Sequence, residues 1–296
     1  MSLDADVDAS QTPPFLFAPR RRQLLKGRNG LVASALSTLA IVGLLAFVLF
    51  GTSGGANVRF TFFNPHYLWL AIKGDPAHAI PSVLSGIVTN IWIFLLCEVL
   101  ILFFGLVLAW VRISVSPLLL PFRLLATAYS DLFRGVPVLL VLYLVDFGLP
   151  ELQLGWLSNQ SPAVYSCIAL TMTYSAYVSE VYRAGLNSVP HGQILAARSL
   201  GLTQYSTMRR VVLPQAVRTV IPPLLNDFIS LQKDTALVSI AGVVDSVRAA
   251  QIGIESYFNE SALVMSALLF LLMTIPMTRF TDRLIAKDRE KRLAGS

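Results

Sequence analysis

A compact group of polar side chains interrupts an apolar stretch in the C-terminal half of the sequence. On a helix, three of them share one face and two share a neighbouring face. A charged side chain inside a bilayer costs about 2.5–3.5 kcal/mol on insertion scales, so such residues serve a purpose. Two interpretations stay open: the group lines a path for a polar solute, or its members pair with neighbours and hold a broken helix in place. The first face carries Asn226, Ser230 and Lys233, and the second carries Asp227 and Asp234.

A second polar set ends another apolar stretch. Thr173, Tyr177 and Glu180 recur at helical spacing and therefore share one face. Arg183 follows Glu180 by three residues, a spacing at which the two side chains can pair on a helix. Arg134 interrupts the preceding apolar stretch. Arg134, Tyr177 and Glu180 are therefore further candidates for a solute path or for structural polar sites.

Sequence motifs of hydrolytic chemistry are absent. The sequence contains no G-x-x-x-x-G-K-[ST] phosphate loop, no H-E-x-x-H and no G-x-S-x-G. The three histidines, His66, His78 and His191, are scattered and predict no metal site. We therefore expect no catalytic residue and no cofactor in this chain, so any ATP-Mg would be bound by another polypeptide.

A polar, basic loop over residues 184–214 separates two apolar segments. Ser188 and Pro190 predict the start of a short helix, and Gly201 suits a left-handed residue at its end. Thr203 predicts the cap of a second helix, and Pro214 predicts its end. Two helices this short have no core of their own, so the loop is either a plain connection or a plug that docks into a partner. The apolar face of the second helix is predicted to hold Tyr205, Met208, Val211 and Val212.

The composition is that of an integral membrane protein. The 296 residues are 55% hydrophobic and 14% charged, whereas soluble domains are roughly 25% charged. The apolar runs predict an all-α fold with about six transmembrane helices, since a span needs roughly 20 apolar residues. Pro222 and Pro223 predict a disturbed fifth helix, and Cys97 and Cys167 predict free thiols in apolar spans. The predicted helices lie near residues 31–50, 87–111, 131–147, 163–183, 215–244 and 261–277.

The first apolar run has an alternative interpretation as a cleaved signal peptide, because small residues follow it at positions 52–56. Signal peptides usually have a shorter apolar region, of about 7–15 residues, which favours a retained helix.

The basic residues predict the orientation of the chain. All but four of the 23 lysines and arginines fall in segments that six helices place on the side of the termini. Cytoplasmic segments carry an excess of Lys and Arg, so we expect both termini and the 184–214 loop to be cytoplasmic in a multi-pass protein of the cell membrane. The +6 charge does not predict nucleic-acid binding, since the basic residues flank the membrane helices. The predicted regions are a basic tail over 1–30, a helix and extracytoplasmic segment over 31–84, a core over 85–280 and a basic tail over 281–296.

Four stretches together resemble the permease subunits of ATP-binding-cassette importers, in the branch for polar amino acids such as histidine, glutamate, glutamine and arginine. In the loop, Ala196, Ala197 and Gly201 followed by the 211–214 ending resemble the cytoplasmic EAA loop of that family. Leu195 stands where the family has a glutamate. The other stretches lie at 133–137, at 176–183 together with 188–193, and at 233–239. The resemblance covers about 85–280 and implies a type I importer core of five helices, to which this chain adds an N-terminal helix.

The resemblance also implies an assembly. The chain would form the translocation path with a second permease, which is either another copy or a sister subunit. An ATP-binding-cassette ATPase dimer would lie on the cytoplasmic side, and an extracytoplasmic amino acid-binding protein would deliver the solute. The bilayer is the remaining partner, and no nucleic acid is expected. Coupling to the ATPase would involve Gly192, Gln193, Leu195, Ala196, Ala197, Leu200 and Gly201.

Two other functional classes stay open on the sequence. A self-contained secondary transporter or channel would show matching broken helices in two halves, and only the fifth predicted helix is convincingly broken. A membrane enzyme or scaffold is the other class, and the sequence offers no nucleophile with a paired base for it.

Overall fold

The computed structural model describes residues 28–294, which are helical and form no strand. The predicted N-terminal basic tail lies almost wholly outside these residues. Two compact units divide the chain, one ending at Phe60 and the other beginning at Thr61. The α-helices are α1 (Arg28–Gly51), α2 (Ser53–Phe62), α3 (Pro65–Lys73), α4 (Val83–Ile113), α5 (Leu120–Gly135), α6 (Val138–Glu151), α7 (Pro162–Asn187), α8 (His191–Ser199), α9 (Gln204–Thr207), α10 (Leu213–Asp234), α11 (Ser246–Tyr257) and α12 (Ser261–Ala294).

The first unit consists of α1 and the start of α2. The segment Val32–Gly51 of α1 is apolar on all sides and long enough to cross a membrane, and none of it is buried within the chain. A helix that is apolar all round suits a lipid environment. Gly55 allows the start of α2 to fold back on the end of α1, because a Cβ there would lie 2.1 Å from the Val48 carbonyl oxygen.

The second unit is built around α7, against which α4, α5, α6 and α10 all pack. Its buried face is rich in small residues, including Ser166, Ala169 and Ala176. Small side chains let neighbouring helices approach closely, as is common in membrane bundles. Gly105 of α4 shows how close this packing is, since a Cβ there would lie 2.7 Å from Val178 Cγ1.

The predicted all-α membrane fold is confirmed. Three helices in the described part of the chain are long and apolar enough to cross a membrane, or up to five if each of two bent pairs forms one span. The long buried helix α7 is not among them, because many of its residues are polar and face other helices. The total of six spans therefore stays a prediction.

The predicted third span over 131–147 is wrong as a single helix. The chain breaks between α5 and α6, and the two helices meet at 110°. Pro137 lacks an N–H group and disfavours the helical conformation of the residue before it. Val136 accordingly adopts an extended conformation, with φ −98° and ψ 133°.

The break in the predicted fifth helix lies elsewhere than expected. Pro222 and Pro223 sit inside α10, which continues to Asp234. A 3₁₀ segment, Thr235–Ala241, follows and ends at Gly242 in a left-handed conformation, after which α11 begins at an angle of 46°. α10 stays helical past both prolines and packs against α7. The last helix, α12, continues well beyond the predicted end at residue 277.

Candidate functional site

The loop between α7 and α10 forms two helical pieces joined at a glycine, as predicted. Gly201 is left-handed, with φ 84°, and the hydroxyl oxygen of Thr203 accepts a hydrogen bond from the Ser206 amide at 3.2 Å. The prediction that Ser188 caps the first helix is wrong. Ser188 instead ends α7, where its hydroxyl donates to the Gly185 carbonyl at 2.7 Å, and Pro190 precedes α8.

Pro214 does not end the second helical piece, which corrects another prediction. A π-helical turn, Met208–Val212, connects α9 directly to α10. A proline ring clashes with the carbonyl four residues earlier in a regular α-helix. The wider π turn lies at that position, so the chain passes Pro214 and stays helical from Gln204 to Asp234.

One side of this loop is attached to the bundle. Gln215 donates a hydrogen bond from Nε2 to Gln193 Oε1 at 2.7 Å, which ties α8 to α10. Ala197 and Thr207 are buried where the two helical pieces meet. The loop is therefore hydrogen-bonded to the start of α10.

The other side of the loop is exposed and apolar. We name this surface the apolar tip and define it by Leu195, Leu200, Tyr205 and Met208, all of which are exposed. Tyr205 and Met208 were predicted to lie on one apolar face, and no described part of the chain covers them. Gly192, Ala196 and Gly201 are exposed beside the tip. Exposed apolar patches of this kind mark interaction surfaces.

An ionic cluster joins the ends of three helices. Glu180 of α7 pairs with Arg183 as predicted, and its carboxylate lies 3.6 Å from Arg134 Nη1 at the end of α5. Arg112, in the last turn of α4, lies 3.1 Å from the same carboxylate. Arg112 was not predicted from the sequence as a member of this cluster, although its position at a helix end next to a polar turn was a usable signal. Tyr177 lies at the edge of the cluster, where its hydroxyl donates to the Arg134 carbonyl at 3.4 Å.

The polar group of α10 is split between two environments. Asn226 and Lys233 are exposed and Ser230 is half-buried, so their shared face is open in the single chain. Asp234 turns inward and accepts a hydrogen bond from the Tyr174 hydroxyl at 2.7 Å. Asp227, two turns earlier on the same helix, is half-buried and lies within electrostatic range of Glu98 of α4.

A buried group of hydrogen bonds lies at the break between α10 and α11, and it was not predicted from the sequence. Asn90 of α4 donates from Nδ2 to the Thr235 carbonyl and to Asp245 Oδ2, both at 3.0 Å. Asp245 also caps α11, where it accepts from the Arg248 amide at 2.8 Å. A single asparagine in the apolar run of α4 was the available signal. These bonds fix the angle at which α11 leaves the break.

A polar contact also joins the α3–α4 connection to the end of α11. The Tyr257 hydroxyl donates to Asp75 Oδ2 at 2.5 Å, and His78 Nδ1 lies 2.7 Å from the same oxygen. The hydrogen bond from Tyr257 lowers the pKa of the Asp75 carboxyl, and His78 acts in the same direction. No cluster of three or more His, Cys, Asp or Glu residues in the described chain could hold a metal ion.

Comparisons with known proteins agree with this architecture. The family model for the inner membrane component of binding-protein-dependent transport systems matches residues 27–289. The arginine transport system permease protein ArtQ of Bacillus subtilis (strain 168) is 34% identical over 218 residues, which cover 73% of this chain and 94% of ArtQ. The probable glutamine ABC transporter permease protein GlnM of the same strain is 36% identical over 193 residues, which cover 65% of this chain and 84% of GlnM.

Solved structures show the same fold. A crystal structure of an amino acid ABC transporter with histidines superposes with a TM-score of 0.64 at 30% identity, covering 69% of this chain and 93% of that one. An inward-facing structure of the MetNI methionine ABC transporter superposes with a TM-score of 0.54 at 19% identity, covering 73% and 99% of the two chains. The second likeness concerns the fold alone.

Proposed function

Because the chain belongs to the family of inner membrane components of binding-protein-dependent transport systems, we propose that it is the permease subunit of an ATP-driven importer of polar amino acids. Relatives named as arginine and glutamine permeases support this substrate class. The observation that carries the proposal is the apolar tip, an exposed surface on a loop that is firmly attached to the bundle. The sequence holds no phosphate loop, so the nucleotide-binding partner is a separate ATPase dimer that binds ATP-Mg.

The coupling step follows from how the loop is attached. The ATPase contacts the tip through Leu195, Leu200 and the neighbouring exposed residues. The bond between Gln193 and Gln215 passes the motion of α8 to α10. Because α10 packs against α7, the motion tilts both helices and alternates access to the path. Leu195 makes this contact apolar at the position where related loops have a carboxylate.

The path itself runs along the open face of α10. Asn226, Ser230 and Lys233 line it, and a second permease, either another copy or a sister subunit, closes the opposite side. Tyr174 holds Asp234 at the edge of this face as a structural partner. An extracytoplasmic binding protein delivers the amino acid, and both termini and the loop lie in the cytoplasm.

Co-purification and transport together test this proposal. The tagged full-length chain, extracted from its own membrane, is expected to bring down an ATPase. Vesicles that contain the complex, with the extracytoplasmic binding protein supplied on the outside, should take up labelled arginine or glutamine only when ATP is enclosed with the ATPase. If no ATPase is recovered and the chain alone moves these solutes after reconstitution, the chain is a self-contained transporter or channel and the proposal is wrong.

A further inference from the structure

An apolar groove runs along the outside of the bundle between α4 and α7. Its volume is about 960 Å³, and its wall on α4 extends from Trp92 to Leu108. At about 1.5 Å per residue this wall is roughly 24 Å long, which is most of the thickness of a bilayer core. Tyr129 of α5 closes the groove near one end, together with Ser175 of α7. The proposed import function does not use this groove.

The ionic cluster lies just beyond that end of the groove. The helices α4, α5 and α7 line this end of the groove. Each of them carries one member of the ionic cluster about one helical turn C-terminal to its groove-lining residue. Polar contacts lie on both sides of this step, since the Tyr129 hydroxyl lies 3.1 Å from Ser175 Oγ, and Ser179 Oγ accepts from Arg112 Nη1 at 3.4 Å. The three pairs, each written from groove to cluster, are Leu108 and Arg112, Tyr129 and Arg134, and Ser175 and Glu180.

The cluster has an excess of positive charge. Three guanidinium groups surround the single carboxylate of Glu180, and within the described chain no second carboxylate lies within 4 Å of them. Arg112 is nearly buried, whereas the side chains of Arg134 and Arg183 are 38% and 37% exposed. Arg134 and Arg183 therefore have N–H donors free to bind an anion, and the guanidinium fork matches phosphate oxygens.

We propose that the groove and the cluster together form a binding site for an anionic phospholipid. One acyl chain lies in the groove against α4 and α7, and the headgroup phosphate accepts hydrogen bonds from Arg134 and Arg183. The combination of an apolar channel in contact with lipid and a cationic end fits a phospholipid better than a protein helix. Basic pockets between transmembrane helices bind anionic headgroups in this manner. The bound lipid would hold the ends of α4, α5 and α7 together.

Native mass spectrometry of the complete transporter tests the proposal. The complex, stripped of lipid in detergent, is titrated with phosphatidylglycerol and with phosphatidylcholine of the same acyl chains. We expect tighter binding of phosphatidylglycerol. A juxtamembrane basic residue contributes about 1 kcal/mol to anionic lipid binding, so the double variant Arg134→Gln/Arg183→Gln should weaken binding about 25-fold. Arg198→Gln removes an exposed arginine of α8 and should leave binding unchanged.

A second variant tests the groove without changing any charge. Leu96→Trp fills the groove from its α4 wall, and Val99→Trp places a tryptophan on α4 at an exposed position that does not line the groove. Binding should fall in Leu96→Trp and persist in Val99→Trp.

Four results would overturn the proposal: equal binding of the two lipids, unchanged binding in the double arginine variant, unchanged binding in Leu96→Trp, or displacement of phosphatidylglycerol by millimolar inorganic phosphate. A disulfide between two copies of a Leu96→Cys variant would also overturn it, because a second copy would then occupy the groove. Loss of lipid binding with intact ATP-driven uptake would leave the import function standing, so the two proposals fail separately.

Discussion

The apolar tip makes a quantitative prediction about association with the ATPase. Leu200 is 85% exposed, so its truncation to alanine removes almost no contact within the folded chain. Fully burying a leucine side chain is worth about 1.5–3 kcal/mol. If docking covers the 85% of Leu200 that is exposed, Leu200→Ala should cost about 1.3–2.5 kcal/mol, or about tenfold to seventyfold in affinity.

The assay is a titration of the purified permease, in detergent, with its ATPase, followed by the fraction of ATPase retained and by its stimulated hydrolysis. Leu118→Ala is the matched control, because Leu118 is 86% exposed but lies in the turn before α5. Helix content and thermal unfolding should be the same in both variants and in the wild-type chain. Unchanged ATPase affinity in Leu200→Ala, or an equal loss in Leu118→Ala, would refute the assignment of the tip as the docking surface.

Three further predictions concern the bundle. Glu180→Gln leaves the nearly buried charge of Arg112 without its carboxylate, and should destabilise the chain by about 3 kcal/mol in thermal unfolding. Gly185→Leu should cost at least about 1–3 kcal/mol through overpacking, since even a Cβ there would lie 2.1 Å from Val220 Cγ1. Tyr257→Phe should return the depressed pKa of Asp75 toward its usual value of 3.8. The stabilisation from this contact is present above that value and lost as the pH falls through the lower folded-state pKa, so the difference in melting temperature between wild type and variant should shrink below about pH 4.

Two of these predictions have a control variant, and the third has an outcome that would contradict it. Arg134→Gln should cost under about 1 kcal/mol, because its pair is longer and more exposed. An equal loss in Arg134→Gln and Glu180→Gln would contradict the role of Arg112. Gly148→Ala should be tolerated, since a Cβ there meets no described atom within 4 Å. A pH-independent difference in melting temperature for Tyr257→Phe would remove Asp75 from the explanation.

Some local signals in the sequence predicted the local structure correctly. Gly201 and Thr203 have the predicted conformation and cap because both depend on their immediate neighbours. The breaks in the bundle could not be located in this way. Pro137 breaks a helix whereas Pro222 does not, although the helices on both sides of Pro137 and the helix that contains Pro222 all pack against α7. The cap assigned to Ser188 failed because α7 extends further than its apolar run.

The sequence gives least information about pairs that are distant along the chain. Glu180 was expected to pair with Arg183, its neighbour on the helix, but not with Arg112 on another helix. Asp75 and Tyr257 are 182 positions apart, and only the folded bundle brings them together.

The π turn between α9 and α10 has a geometric consequence for the surface above it. Such a turn contains one residue more than a regular α-helical turn. Each residue of an α-helix advances by about 100° and 1.5 Å. Deleting a single residue within Met208–Val212 would therefore rotate Tyr205 by about a quarter of a circle relative to α10 and turn it toward a different side of the bundle. The number of residues in this one turn therefore sets the orientation of the loop about the axis of α10.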